Sequence, residues 1–492
     1  MGRSAVGGGL TSYEEYDYLG ASTMIERGRP ESGIKLTMVS QTGSVGDAGD
    51  PYTGLDRFGR VVDQRWIEGS GGSATDIARY TYQFDRNSSR TARLNQLDAA
   101  FSETYAFDGV DRLVDFARGG GGTGPQSQQW NLDALGNWTT ITSDGTPESR
   151  THNSQNELTG VGASSLAYDA NGNMIQDEVG RQLQYNAWNR LVRVSLSGDQ
   201  VAAYQYNGLQ HRIVTTVGNG PSAIARDLFY SVGWQVLEQR IRTGSSLGSE
   251  AEEQFVWSVA YIDGLILRDR NADLNNATGA GGLEQRVFAL QDALWNTTAL
   301  VDVNGDVLNR FAYTPYGVVS LLNPDWYNAT SAAVPWQHLF RGLKFSEETG
   351  LAYVRNRDYS PTLGRFIMPD PLGYVDGASL YAAHFVPNRT DSRGLFDEPG
   401  NPFVPDPPNP PPPPPTEYPC PTCPAPTYPP PSDPQPLHPP VGWLFWFSVG
   451  PGVWIGGGSD GNPFNEPGRR INDRPSINVP GGDPVFGFYC QW

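Results

Sequence analysis

An aromatic or apolar residue followed by Asp or Asn recurs along the chain: Phe84-Asp85, Phe107-Asp108, Leu132-Asp133, His152-Asn153, Tyr168-Asp169, Tyr185-Asn186 and Tyr206-Asn207. Successive copies are 23, 25, 20, 16, 17 and 21 residues apart. One such pair reads as a surface turn, but seven at near-regular spacing define a unit repeated in tandem. Each unit reads as a strand ending at the pair, a turn, and a second alternating strand such as Leu191-Val192-Arg193-Val194. Asn and Gly tolerate the positive φ that such turns need, and an Asp carboxylate can accept from turn amides. A hairpin this short buries too little surface to stand alone, so neighbours must pair edge to edge into one long sheet. A propeller blade would need about 40–50 residues, roughly twice the interval seen.

Composition agrees with an all-β fold. The 492 residues include 58 Gly and 56 aromatic side chains, and 38% are apolar, enough for a folded protein too long for one ordinary core. The net charge of −18, with no compensating basic stripe, repels phosphate backbones and argues against nucleic acid as a partner. Cys420, Cys423 and Cys490 all lie in the last fifth, so the body does not depend on disulfides. The first ten residues lack the apolar core of a signal peptide, and the N-terminus reads as internal to a longer protein.

From 226 to 320 the strands become longer and more apolar, as in Gln254-Phe255-Val256-Trp257 and Ala299-Leu300-Val301-Asp302-Val303. The stretch 345–395 then carries Glu348-Thr349-Gly350-Leu351, Tyr353, Arg355-Asn356-Arg357, Gly364-Arg365-Phe366, Asp370-Pro371-Leu372-Gly373 and Leu380-Tyr381. In content and order this resembles the RHS repeat-associated core that closes bacterial RHS and YD-repeat proteins, and the upstream units resemble the YD repeat. The resemblance implies a spiral, hollow β-shell built from hairpins, holding its own C-terminal segment and plugged by the core. It divides the chain into an N-terminal segment with partial repeats (1–53), a YD-repeat shell (54–320), the core (321–395), a proline-rich linker (396–440) and a variable tail (441–492).

The linker holds 22 prolines between 399 and 440, which fix φ and remove amide donors, so extended polyproline II is expected. Cys420-Pro421-Thr422-Cys423 has a spacing open to a disulfide or half a zinc site; neither metal nor cofactor is favoured. The tail opens on an uncharged aromatic run, 441–455, interrupted by Gly450-Pro451-Gly452 and lacking basic anchors. A small domain or interaction patch is expected there in preference to membrane contact. From 396 to 492 there are three Arg, no Lys and nine acidic residues, a poor endowment for the nuclease toxins frequent in this family.

Many members of the resembled family cut their own chain just after the core. Carried over by motif, the resemblance assigns Arg365, Asp370 and Asp391 to catalysis and the Leu395–Phe396 bond to scission. One carboxylate would activate water while the other, protonated, polarises the carbonyl. Two departures weaken the match: Ser392 stands where the second motif has Pro, and Ala382-Ala383 follows Tyr381 where a further aromatic is usual. The histidines 152, 211, 338 and 384 are scattered singly, and Gly119–Gly122 lacks the Lys of a phosphate loop. The resemblance further implies export to the medium or cell surface and an immunity protein as partner. A rival reading, from the aromatic residues on repeating strands, is a non-catalytic adhesion wall whose partner is a cell-surface glycan or protein.

Overall fold

The computed structural model describes residues 2–8, 11–20, 23–40, 52–121, 124–242, 244, 246–248, 250–272, 282–375, 377–383, 386, 388–395, 444–450 and 453–458. Among them the regular structure is β-strand with a few single 3-10 turns. Two fourteen-stranded antiparallel sheets run in sequence order, the first from Gly2–Gly8 to Ser164–Ser165 and the second from Ala167–Tyr168 to Val319–Leu322. Every strand pairs with its sequence neighbours, the topology expected when each hairpin can be stabilised only by the next.

The repeating dipeptide has a definite mechanical meaning. In the turn at 108, the Asp108 amide donates to the Arg112 carbonyl and the Asp111 amide to the Asp108 carbonyl, while Asp111 takes φ of 62°. These are the marks of a three-residue hairpin loop ending in a bulge, and the strand register shifts at Ala106/Phe107 accordingly. The Asp108 carboxylate accepts from the amides of Val110 and Arg112, 3.0 Å each. The same bonds recur at Asp56, Asp85, Asp133, Asn153, Asp169 and Asn186.

Two further positions tie each unit to its neighbours. The aromatic residue before the turn reaches back to the previous unit: Tyr185 donates to Met174, Tyr206 to Leu191, Tyr230 to Arg212 and Tyr313 to Thr297, all through backbone carbonyls. The last turn residue reaches forward, as Arg112 does to the Asp133 carbonyl and Asn137 to the Asn156 side chain, 2.8 Å in both cases. Tyr-Asp is thus a joint rather than a reactive pair: the ring secures the unit behind and the carboxylate closes the turn.

A third sheet of four short strands, Lys344–Ser346, Leu351–Val354, Arg357–Ser360 and Arg365–Phe366, is enclosed by the large ones. All four residues of Arg357–Ser360 are buried. Leu351, Leu363, Ile367 and Met368 pack with Leu158, Leu183 and Leu191, and Val354, Tyr359 and Phe366 pack with Val287, Leu300 and Phe340. Where this small sheet covers their inner face, Thr297–Val301 and the end of Val307–Tyr313 are buried on both sides, so their residues do not alternate between buried and exposed. Arg212 crosses from the second sheet to pair with Asp358 at 2.7 Å while lying over Tyr204 and Tyr353.

A second unit contains one antiparallel hairpin, Leu444–Gly450 with Val453–Gly458. The proline-rich linker, Phe396 and the three cysteines lie outside the described residues. No helix among the described residues is long and apolar enough to cross a membrane, which says nothing of strands.

Candidate active site

Asp370 and Asp391 meet at one buried guanidinium, that of Arg357. Nη1 of Arg357 lies 2.9 Å from Asp370 and Nη2 lies 3.3 Å from Asp391, with all three side chains no more than 7% exposed. The Arg357 guanidinium also stacks over Phe366, 3.6 Å from the ring centroid, which fixes its plane. Burial pushes the Asp391 carboxyl up to about 6, against the pull of Arg357 and with a further push from Asp370. The Asp370 charge beside it disfavours ionisation of Asp391, the effect expected when two carboxyl groups share one cation in a dry site.

Both aspartates belong to turns of the kind that builds the repeats. The Asp370 carboxylate accepts from Leu372, and Asp391 accepts from the Leu395 amide at 3.1 Å. Gly394 occupies the position that takes positive φ, here 64°, and a Cβ on it would stand 2.5 Å from the Val354 carbonyl oxygen. Only glycine lets the segment 391–395 lie against the connection between Leu351–Val354 and Arg357–Ser360.

That connection grips the segment carbonyl by carbonyl. Arg355 Nη1 donates to Ser392, the Asn356 amide and side chain donate to Arg393 at 3.1 and 3.0 Å, and Arg357 Nε donates to Gly394 at 2.6 Å. Leu395 is thereby held with its amide on Asp391; its neighbour Phe396 lies outside the described residues.

Arg365 is placed elsewhere. It donates to the Asn156 carbonyl and stacks near Tyr381, in the wall of a cavity of about 320 Å³ that it shares with Arg150, His152, Trp138 and Tyr316. Neither aspartate lines that cavity. Burial and the Arg365 charge push His152 down to about 4. The arginine that joins the aspartates is Arg357, which motif matching passed over although it lies in the Arg355-Asn356-Arg357 run. A charged triplet inside a strand pair that is otherwise buried was the available signal. No cluster of three metal-ligating side chains occurs among the described residues.

Tandem bulged hairpins enclosing a small sheet, with paired carboxylates on its exit segment, define a β-shell protein. The chain belongs to the teneurin YD-shell family, whose description matches residues 76–379. It is 27% identical over 263 residues to the tRNA3(Ser)-specific nuclease WapA of Bacillus spizizenii, covering 51% of this chain and 10% of that protein. Toxin subunit YenC2 of Yersinia entomophaga is 27% identical over 208 residues, 39% of this chain and 19% of the subunit. The solved structure of a Photorhabdus luminescens Tc holotoxin pore superposes with a TM-score of 0.59 at 16% identity, covering 80% of this chain and 19% of that one. At that identity the likeness shows the fold. The chain spans about a tenth of the WapA relative and about a fifth of the toxin subunit.

Proposed function

We propose that this chain is the shell-and-core part of an exported toxin-type protein, and that its core cuts the backbone between Leu395 and Phe396 to separate the shell from the segment it carries. The observation that supports this most directly is the pair of buried aspartates on Arg357 with the Leu395 amide bonded to one of them. Asp391, pushed up to about 6, is assigned the protonated partner that donates to the Leu395 carbonyl oxygen. Asp370, with the shorter ion pair, is assigned the ionised partner that takes a proton from water as the water oxygen bonds to the carbonyl carbon. Collapse of that adduct breaks the C–N bond, and the departing Phe396 nitrogen takes up the proton. In this reading 54–320 is the shell, 321–395 the core, 396–440 the linker and 441–492 the carried tail, with an immunity protein as the tail's partner.

The test is a denaturing gel of the purified chain. Two bands, with a new N-terminus at Phe396, are expected, and Asp391→Asn or Asp370→Asn should leave one. A second reading, a non-catalytic adhesion or carbohydrate-binding wall, draws support from a specific observation: Asp370 and Asp391 each make one of the turn bonds that Asp108 and Asp169 make within the repeats. A single full-length band from the unaltered chain would select it.

A further inference from the structure

Of the three residues that grip the 391–395 segment, Arg355 is the one held by an ion pair to the large sheets. Its Nη2 lies 2.6 Å from Asp263 Oδ1 and its Nη1 lies 3.1 Å from Oδ2, while the same Nη1 donates to the Ser392 carbonyl. Both side chains are buried. The Arg355 Nε has no partner, so without Asp263 the guanidinium would keep only the Ser392 carbonyl as an acceptor. An unpaired cation would then be buried beside the segment.

Asp263 is itself fixed in place. It sits between the strands Glu253–Trp257 and Leu265–Arg270, and its carbonyl accepts from the Gln291 side chain. Gly342, at φ of 72°, packs so close that a Cβ there would stand 2.1 Å from the Asp263 carbonyl oxygen. These neighbours come from 291 and 342, and Arg355 is 92 residues downstream of Asp263. These contacts require the second sheet to have paired from Glu253–Trp257 to Gln285–Gln291 and residues 342–355 to have folded back against it. On the other side Arg190 donates to the Arg355 and Asn356 carbonyls and to the Asn356 side chain, so the grip is anchored to the same sheet twice.

We propose that Asp263 and Arg355 make self-cleavage conditional on a completed wall: the sheet positions Arg355 through Asp263, and Arg355 positions the segment to be cut. The inference rests on the reading of 391–395 as the cleavage segment. Neither residue touches the reacting bond; both are positioning residues. In a nascent or misfolded chain the aspartates would lack a correctly held substrate, and the C-terminal segment would stay attached until there is a shell to carry it.

The test is cell-free synthesis of the full chain, so that every molecule starts uncut, with cleavage then followed on a gel at a series of pH values. Asp263→Asn should slow cleavage by about tenfold or more, the scale expected for misplaced reacting groups. The midpoints of its pH–rate profile should stay at those of the unaltered protein, because the acid and base are untouched. Asp263→Glu should recover much of the rate. Arg226→Gln, which breaks the Arg226–Glu252 pair on the same sheet, should cleave normally. If Asp263→Asn does not fold, Arg355→Lys decides: it keeps the charge but loses the fork that serves Asp263 and Ser392 together, and the same slowing is expected. Cleavage of Asp263→Asn or of a folded Arg355→Lys at the unaltered rate overturns the inference, as does equal slowing in Arg226→Gln. An unaltered chain that never cleaves overturns the underlying site assignment instead, and this inference with it.

Discussion

Arg357 neutralises a buried pair of carboxyl groups, so its loss should be felt in both chemistry and stability. Arg357→Gln is expected to abolish cleavage and to cost about 3–5 kcal/mol, the scale for stripping one partner from a buried ionic cluster. Urea unfolding monitored alongside the gel would check both effects. The pH dependence follows from Asp391. Its carboxyl is raised to about 6 from an ordinary 3.8, so the protonated form contributes stability that is fully present below the ordinary value and is lost as pH rises through about 6. If that form is the acid, the cleavage rate should fall about tenfold per pH unit above 6. A rate flat from pH 5 to 8 would remove Asp391 from that role. Sequence motifs located both aspartates and the carbonyl they would act on. They named Arg365 and not Arg357, because which guanidinium faces a carboxylate depends on how 357 and 365 are placed on neighbouring strands.

Hairpin by hairpin, stability rests on the joint formed by the ring and the carboxylate. Asp108→Ala removes two turn bonds and the contact to Arg112 at 2.7 Å, and should cost about 1–2 kcal/mol. Asp108→Asn should cost less, since Asn serves the same position at 153, 186 and 207. Tyr206→Phe loses the bond to Leu191 and the two that its hydroxyl accepts from Arg212, and should cost about 2–3 kcal/mol. Chemical denaturation of the three variants would rank them. This unit was legible at the seven pairs from Phe84-Asp85 to Tyr206-Asn207, while Leu55-Asp56 and Leu322-Asn323, which form the same turn, were passed over. Turns at Asp177, Ser231 and Asp292 escaped because Gln176 precedes the first, a hydroxyl replaces the carboxylate in the second and Gln291 precedes the third. Trp234, Trp295 and Trp326 occupy the left-handed turn position at φ of 64–67°, where composition would never suggest tryptophan. Their rings explain it: Trp295 stacks on Tyr261, Trp234 meets His211 edge-on and Trp326 packs on Phe101.

Across the molecule the joints leave many tyrosines buried, among them Tyr82, Tyr185, Tyr206, Tyr230, Tyr313 and Tyr359, all pushed up by burial. A tyrosine whose pKa is raised in the folded state contributes stability that is intact below its ordinary value of about 10 and is lost above it, at about 1.4 kcal/mol per pH unit for each ring. Alkaline unfolding should therefore be steep, with tyrosinate absorbance and loss of β-sheet signal rising together. Gradual titration near pH 10 in a still-folded protein would contradict the burial pattern. The large-scale plan, hairpins paired edge to edge in chain order with a core near residue 370, could be read from repeat spacing and motif order, but the break of the expected single sheet into two between Ser165 and Ala167 could not. The enclosure of the small sheet depends on contacts between residues from 43 to 213 positions apart and could not. A last consequence attaches to the hydrogen bonds from Arg355, Asn356 and Arg357 to residues 392–394: every one lies upstream of the Leu395–Phe396 bond. Scission there would leave the freshly made carboxyl end moored in its socket, and the container should keep its cooperative melt after the downstream piece is washed away.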